Sequence, residues 1–125
     1  MVLVDTSVWI RALANRRPYR AALDRLLSLD EVAGHELVYG ELLIGDRGGR
    51  RKLVAAYEQM HQAAMIPHDE VVAFVREREL QGRGVGWIDI HLLASAIVER
   101  VDLGTVDPRL FAMAADFGVA YTAPS

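Results

Sequence analysis

The first residues of the chain form a short apolar run that ends on a carboxylate. Residues 1–4 are all apolar, and Asp5 follows them directly. Four apolar residues in a row are too few to hide on one face of a helix, so the run predicts a short strand buried on both sides, as at the centre of a parallel sheet. Thr6 and Ser7 then stand where a helix N-cap is expected. Asp5 is therefore predicted at the carboxyl end of a central strand, where open α/β sheets bind their ligands.

Apolar segments and helical patterns alternate along the rest of the chain. Short strands are predicted over residues 1–4, 31–33, 63–67, 103–106 and 119–121. Helices are predicted over residues 6–13, 18–27, 35–44, 50–60, 69–80, 91–98 and 108–117. Asp69 and Asp107 stand at the starts of two of these helices and are predicted to cap them. Strands separated by helices indicate an α/β fold, with a short central parallel sheet covered by helices on both faces.

Length and residue usage narrow the class of protein. A chain of 125 residues is long enough for one hydrophobic core, so a single domain over residues 1–125 is predicted. The absence of cysteine excludes disulfides, thiolate metal sites and cysteine nucleophiles. The amino terminus lacks the basic start and long apolar run of a signal peptide, and no apolar stretch reaches membrane-spanning length. We therefore expect a cytoplasmic protein that is not associated with a membrane.

The net charge bears on nucleic-acid binding. The chain has 14 Lys and Arg residues against 17 Asp and Glu residues, which gives a formal charge of −3. This balance argues against a domain that binds nucleic acid through bulk positive charge alone. It does not argue against a nuclease, because an enzyme that gathers carboxylates around metal ions can be acidic overall and still carry a local basic strip.

Four carboxylates stand out by their positions in the predicted fold. Asp5 and Asp107 follow strands, Asp89 stands at the entry of a buried helix, and Glu41 lies within an apolar helix. Each has a structural explanation. The aspartates can act as N-caps, each stabilising its helix by about 1 kcal/mol, and Glu41 can form a salt bridge with an arginine. Capping explains each aspartate separately, but it gives no reason for acidic groups to converge at one edge of a sheet.

Converging carboxylates repel one another, and a raised pKa or a bound cation must compensate for the repulsion. Hard divalent cations such as Mg²⁺ or Mn²⁺ take oxygen ligands and keep several waters, so they suit a carboxylate cluster without histidine or cysteine. Such ions can turn a bound water into a nucleophile and stabilise the charge that develops on a phosphodiester. The four carboxylates together therefore predict metal-assisted phosphodiester hydrolysis.

Four sequence motifs resemble a known family in their order and spacing. They are VDTSVWI at 4–10, GELLIG at 40–45, GWIDIHLLASA at 86–96 and TVDPRL at 105–110. These motifs resemble those of PIN-domain ribonucleases, and most closely those of the VapC toxins of bacterial toxin–antitoxin pairs. The resemblance spans essentially the whole chain. It implies a three-layer α/β/α fold, Mg²⁺- or Mn²⁺-dependent endonucleolytic cleavage of RNA, a homodimer, and an antitoxin protein that blocks the active site.

The resemblance also implies roles for particular residues. Asp5 and Asp89 correspond to the principal metal ligands. Glu41 corresponds to an acidic ligand or a group that orients water, and Asp107 to the fourth acidic residue. Thr6 lies beside these carboxylates and is a candidate contact for RNA or water, with local capping as its alternative role.

Other residues have weaker functional interpretations. Arg47, Arg50, Arg51 and Lys52 form the basic cluster of the chain, and in a nuclease they become candidate contacts for RNA phosphates. The alternative for this cluster is a solvated helix end. His91 could touch substrate, but a histidine at the start of a buried helix is more often a structural group.

Two other functions stay open at this point. A phosphoryl-transfer enzyme with Asp5 as nucleophile would resemble the haloacid dehalogenases, but their pattern has a second aspartate two residues later, where this chain has Ser7. The second alternative is a PIN-like module that binds RNA or protein without cleaving RNA. Loss of acidic residues would mark such a module, and all four carboxylates are present here.

Overall fold

The apolar run at the amino terminus forms the middle strand of a parallel sheet. In the computed structural model, which describes residues 1–123, β1 (Val2–Val4) pairs with β2 (Val32–Ala33) and β3 (Asp102–Gly104). The strand order is β2-β1-β3, and both pairings are parallel. All three residues of β1 are buried, because helices cover both faces of the sheet. The prediction of a central buried strand is confirmed.

Seven helices surround this sheet within residues 1–123. They are α1 (Thr6–Leu13), α2 (Tyr19–Ser28), α3 (Glu36–Ile44), α4 (Arg51–Glu58), α5 (His68–Arg78), α6 (Trp87–Glu99) and α7 (Pro108–Asp116). The arrangement is a three-layer α/β/α fold, which confirms the predicted class. None of these helices has the length and apolar character needed to cross a membrane. The last two residues of the predicted single domain, 124–125, lie outside the described residues.

The most deeply buried helix is α6. Its residues 90–96 are all buried, as the nearly continuous apolar pattern predicted. Leu92 and Leu93 are completely covered, and burying a leucine side chain contributes about 1.5–3 kcal/mol to stability. Because α6 runs through the core, the position of its first turn, which holds Asp89, is set by packing along the rest of the helix.

A buried polar chain joins α3 to α6. His35 caps α3, and its Nδ1 accepts a hydrogen bond from the backbone N–H of Leu37 at 3.0 Å. Its Nε2 lies 3.0 Å from the hydroxyl oxygen of Ser95, which in turn donates to the carbonyl oxygen of Ala64 at 2.7 Å. These bonds require a neutral ring with its proton on Nε2. Burial, followed by the nearby His91, lowers the pKa of His35 to about 4, so the ring stays neutral.

Two predicted strands are not strands in the structure. Residues 63–67 are irregular, because the Ala64 N–H donates to the side chain of Glu99 and its carbonyl oxygen accepts from Ser95. Only a single bridge, between Gly34 and Gln62, joins this region to the sheet edge. Residues 119–121 likewise make one bridge, through Ala120. Apolar runs of this length are ambiguous because strand formation depends on a partner that local sequence does not specify.

The helix caps also differ in part from the prediction. Asp5 caps α1, and Thr6 and Ser7 already belong to the helix. Asp69 lies in the first turn of α5, where its charge favours the positive end of the helix dipole, but it is not the cap. Asp107 caps α7 with Pro108 at the first helical position, as predicted.

Candidate active site

Asp5 ends β1 and begins the site. Its backbone N–H donates to the carbonyl oxygen of Gly104 at 2.9 Å, which extends the contact between β1 and β3 by one residue. The residue is 3% exposed. The Oδ1 atom accepts hydrogen bonds from the Val8 N–H at 3.1 Å and the Ser7 hydroxyl at 2.6 Å. Among the described residues no hydrogen bond reaches Oδ2, which leaves that oxygen for another ligand.

The loop after β3 is held against the start of α1. The backbone N–H of Val106 donates to the Ser7 hydroxyl oxygen at 3.3 Å, so Ser7 connects this loop to Asp5. The Thr105 hydroxyl oxygen accepts from the Asp107 N–H at 3.0 Å. Asp107 then caps α7 through Oδ1, and this places its carboxylate at the same edge of the sheet as Asp5.

Glu41 reaches the same edge from α3. It is half-buried, and its Oε1 accepts a hydrogen bond of 2.7 Å from the Thr6 hydroxyl in the first turn of α1. The salt-bridge alternative is wrong for the described residues, because no Lys or Arg side chain lies within ion-pair distance of Glu41. A neutral hydroxyl therefore holds this carboxylate while its negative charge stays uncompensated.

Asp89 lies in the first turn of α6 and is half-buried. Its pKa is raised to about 6, first by burial and then by the negative charges of Asp5, Glu41 and Asp107, in that order. The structure therefore places the other three sequence-predicted carboxylates close enough to Asp89 for their charges to interact with it. Capping does not explain Asp89, since Gly86 occupies the N-cap position of α6.

The four carboxylates offer oxygen ligands of the kind that a divalent cation binds. Within residues 1–123, no group of three acidic or histidine side chains is arranged as a complete metal centre. The ion pairs among these residues use Asp24, Glu99 and Asp116, and none of the four site carboxylates. Mg²⁺ is commonly bound through one or two carboxylates with several retained waters. The oxygen donors and the uncompensated negative charge therefore fit such a cation.

The predicted basic contacts lie beyond the end of α3. Arg47 is exposed in the turn between α3 and α4, and Arg51 is exposed at the start of α4. Arg50 is half-buried and folds over the end of α3, since a Cβ on Gly45 would lie 3.5 Å from its Nη1 atom. The structure brings none of the three into an ion pair with the four carboxylates.

Two arginines that the sequence analysis did not single out lie beside the site. Arg11 follows Ser7 by one helical turn, and Arg109 follows Asp107 by two residues. Both line a cleft next to Asp107. The i, i+4 spacing of Ser7 and Arg11 was the available signal, because it places both side chains on one face of α1.

His91 packs against an aromatic side chain of its own helix. It is buried, and its ring packs edge-on against Trp87 with the centroids 5.1 Å apart. Burial and the nearby His68 lower its pKa. Among the described residues its Nδ1 atom has no hydrogen-bond partner. The structural interpretation of His91 agrees with this packing, and Trp87 also packs edge-on against His68.

Comparisons with known proteins agree with the fold. The model of the PIN domain family matches residues 2–116. Two similar relatives are each named Ribonuclease VapC32, from Mycobacterium tuberculosis strains CDC 1551 / Oshkosh and ATCC 25618 / H37Rv. Each is 43% identical to this chain over 121 residues, which cover 96% of this chain and 95% of the relative. The chain therefore belongs to the VapC-type ribonucleases of the PIN domain family.

Proposed function

We propose that this chain is a metal-dependent endoribonuclease that acts as the toxin of a type II toxin–antitoxin system. The observation that carries the proposal is that the other three carboxylates of the site act electrostatically on Asp89, while none of the four forms an ion pair with a cationic side chain within residues 1–123. Family membership supports RNA as the substrate, an antitoxin protein as the partner, and dependence on a divalent metal ion. A homodimer and a cytoplasmic location are further parts of the proposal.

In this proposal Asp5 and Asp89 hold the cation, which we propose to be Mg²⁺ or Mn²⁺. When bound there, such a cation lowers the pKa of a coordinated water and stabilises negative charge on the phosphate. Asp5 suits this role because its Oδ1 is fixed by two hydrogen bonds while Oδ2 is left for another ligand. Asp89 suits it because repulsion by its neighbours is relieved when a cation binds.

Glu41 is the proposed acidic ligand or water-orienting group. Its hydrogen bond from Thr6 limits the rotation of the carboxylate and aims it across the start of α1. Thr6 therefore acts through Glu41 in this proposal, although it was first a candidate RNA contact. Asp107 is the fourth acidic residue, and its capping of α7 fixes its position.

The basic residues Arg47, Arg50 and Arg51 are proposed as RNA contacts. They follow α3, whose middle turn holds Glu41, so RNA that enters from this side would pass them before it reaches the carboxylates. Cations near an acidic site position the phosphate backbone without reading its sequence.

The experiment is cleavage of a mixed RNA pool by purified protein free of antitoxin, with Mg²⁺, with Mn²⁺ and with EDTA. We expect cleavage with metal, none with EDTA, and none by the folded variants Asp5→Asn and Asp89→Asn. Asp102→Asn is the matched control, because Asp102 is an exposed aspartate at the first residue of β3, at the opposite edge of the sheet. If the folded wild type leaves all RNA intact with either metal, the nuclease proposal is wrong and a binding module that does not cleave RNA replaces it.

A further inference from the structure

A cleft of about 440 Å³ lies between α1 and the start of α7, next to the carboxylates. It is lined by Ser7, Arg11, Val106, Asp107, Pro108 and Arg109. Two of the six residues are arginines, and the side chains of Ser7 and Asp107 belong to the hydrogen-bonded framework of the site. The cleft therefore combines positive charge with direct access to the edge of the proposed active site.

Neither arginine of the cleft is neutralised by a carboxylate within residues 1–123. Arg11 is half-buried, its Nη1 donates to the carbonyl oxygen of Ser7 at 3.2 Å, and its guanidinium lies 6.0 Å from the ring centroid of Tyr19. These contacts hold the guanidinium in place but use only part of its five N–H donors. Arg11 can therefore donate further hydrogen bonds to a ligand in the cleft.

Arg109 is held from the other side, by the loop between α5 and α6. A Cβ on Gly84 would lie 2.8 Å from its Nη1 and 3.0 Å from its Cδ, so the missing side chain at Gly84 leaves the space that Arg109 occupies. The φ angle of Gly84 is +77°, which other residues rarely adopt. This loop leads directly into the turn of α6 that holds Asp89. Arg109, two residues after Asp107, thus contacts the loop that leads to Asp89.

We infer that Arg11 and Arg109 bind a backbone phosphate of the RNA, adjacent to the phosphate that is cleaved. The inference rests on the proposed nuclease function. A cluster of four carboxylates repels the negatively charged RNA. The two arginines beside the cluster attract the RNA phosphates and so offset this repulsion. Guanidinium groups match phosphate geometry through paired hydrogen bonds. A backbone phosphate is the ligand because the cleft offers cations and no exposed aromatic ring for a base.

The test compares Arg11→Gln, Arg109→Gln and the double variant with wild type in two assays. The first is binding of a short fluorescent single-stranded RNA in EDTA over a range of salt concentrations. The second is steady-state cleavage of the same RNA in Mg²⁺. We expect each single variant to bind about fivefold to tenfold more weakly and to lower the slope of log K against log salt by about 0.7. In cleavage, KM should rise more than kcat falls.

Conservative and matched variants make the result specific. Arg109→Lys keeps the charge without the planar fork, so it should restore part of the affinity and the full salt slope. Arg25→Gln removes an exposed arginine from the last turn of α2, which does not line the cleft, and should bind RNA like wild type. Thermal unfolding of every variant shows that it is folded before its affinity is measured.

Different outcomes separate this inference from the proposed function. If the cleft variants bind and cleave RNA like Arg25→Gln, the phosphate site is wrong while the nuclease stands. If wild type binds RNA and never cleaves it, the proposed nuclease function is wrong. The RNA affinities of the arginine variants then still show whether the phosphate site exists. If wild type neither binds nor cleaves RNA, both are wrong. Loss of antitoxin affinity with unchanged RNA affinity would assign the cleft to a protein ligand and overturn the inference.

Discussion

The hydroxyl of Thr6 donates a hydrogen bond of 2.7 Å to Oε1 of Glu41, although the two residues are 35 positions apart in the chain. This bond joins the first turn of α1 to the middle of α3. Because Asp5 immediately precedes Thr6, the bond also sets the position of Glu41 relative to Asp5. Thr6 is therefore a positioning residue for the proposed site.

Replacing Thr6 tests this role. Thr6→Val has the same shape without the hydroxyl, so Glu41 loses its hydrogen-bond donor while the packing of α1 is kept. We expect kcat/KM for RNA cleavage to fall by about tenfold or more, as for other residues that orient ligands. Thr6→Ser retains the hydroxyl and should recover most of the activity. Equal activity of the valine and serine variants would contradict the role.

Asp89→Asn should abolish cleavage and yet stabilise the metal-free protein. Burial disfavours the charged form of Asp89 most, and the three other carboxylates of the site repel its charge; a neutral amide removes both penalties. At about pH 7.5 in EDTA we expect the free energy of unfolding to rise by on the order of 1 kcal/mol, after allowance for solvent screening of a half-buried group. Urea unfolding measures this change. The control Asp102→Asn should change it by only a few tenths, and a destabilised Asp89→Asn would argue against the cluster.

Substitutions of Asp107 separate its role as the cap of α7 from the role of its negative charge in the site. Asparagine caps helices as well as aspartate does, so Asp107→Asn should keep the stability of α7 and lose most of the RNA cleavage. Asp107→Ala should lose both the helix cap and the RNA cleavage, and its free energy of unfolding should fall by about 1 kcal/mol. Activity assays and urea unfolding of the two variants give the comparison. Full activity of Asp107→Asn would leave capping as the only role of this residue.

His35 should make stability depend on pH below neutrality. The unfolded chain binds a proton on this ring near the ordinary pKa of 6.5, whereas the folded protein binds it only near pH 4. Stability from the neutral ring is fully present above pH 6.5 and falls as the pH drops through this window. The loss amounts to on the order of 3 kcal/mol. Protonation at Nδ1 would also remove the acceptor that caps α3.

The measurement is the free energy of unfolding at several pH values between 7 and 4. Other groups titrate in the same range, so the informative quantity is the difference between wild type and His35→Asn, which should shrink steadily with falling pH. Asparagine can still cap α3, so this variant retains part of that interaction. His61→Asn removes an exposed imidazole and should keep the wild-type dependence. A constant difference across the range would contradict a buried neutral His35.

The sequence by itself determined the parts of the protein that depend on near neighbours. The four apolar residues before Asp5 predicted the central strand, the unbroken apolar pattern after Asp89 predicted a buried helix, and Asp107 followed by Pro108 predicted the start of α7. Motif order indicated the family. These features were predictable because strand alternation, helical periodicity and capping involve residues within about four positions of each other.

Only the tertiary structure decided which distant groups meet. The bonds from Thr6 to Glu41 and between His35 and Ser95 span 35 and 60 positions. The predicted strand at 63–67 failed because Ala64 bonds to side chains of α6, and the arginine cleft exists because Gly84 leaves space for Arg109. Each of these contacts depends on how helices pack across the sheet. Local pattern carries no information about such packing, since the partners belong to elements far apart in the chain.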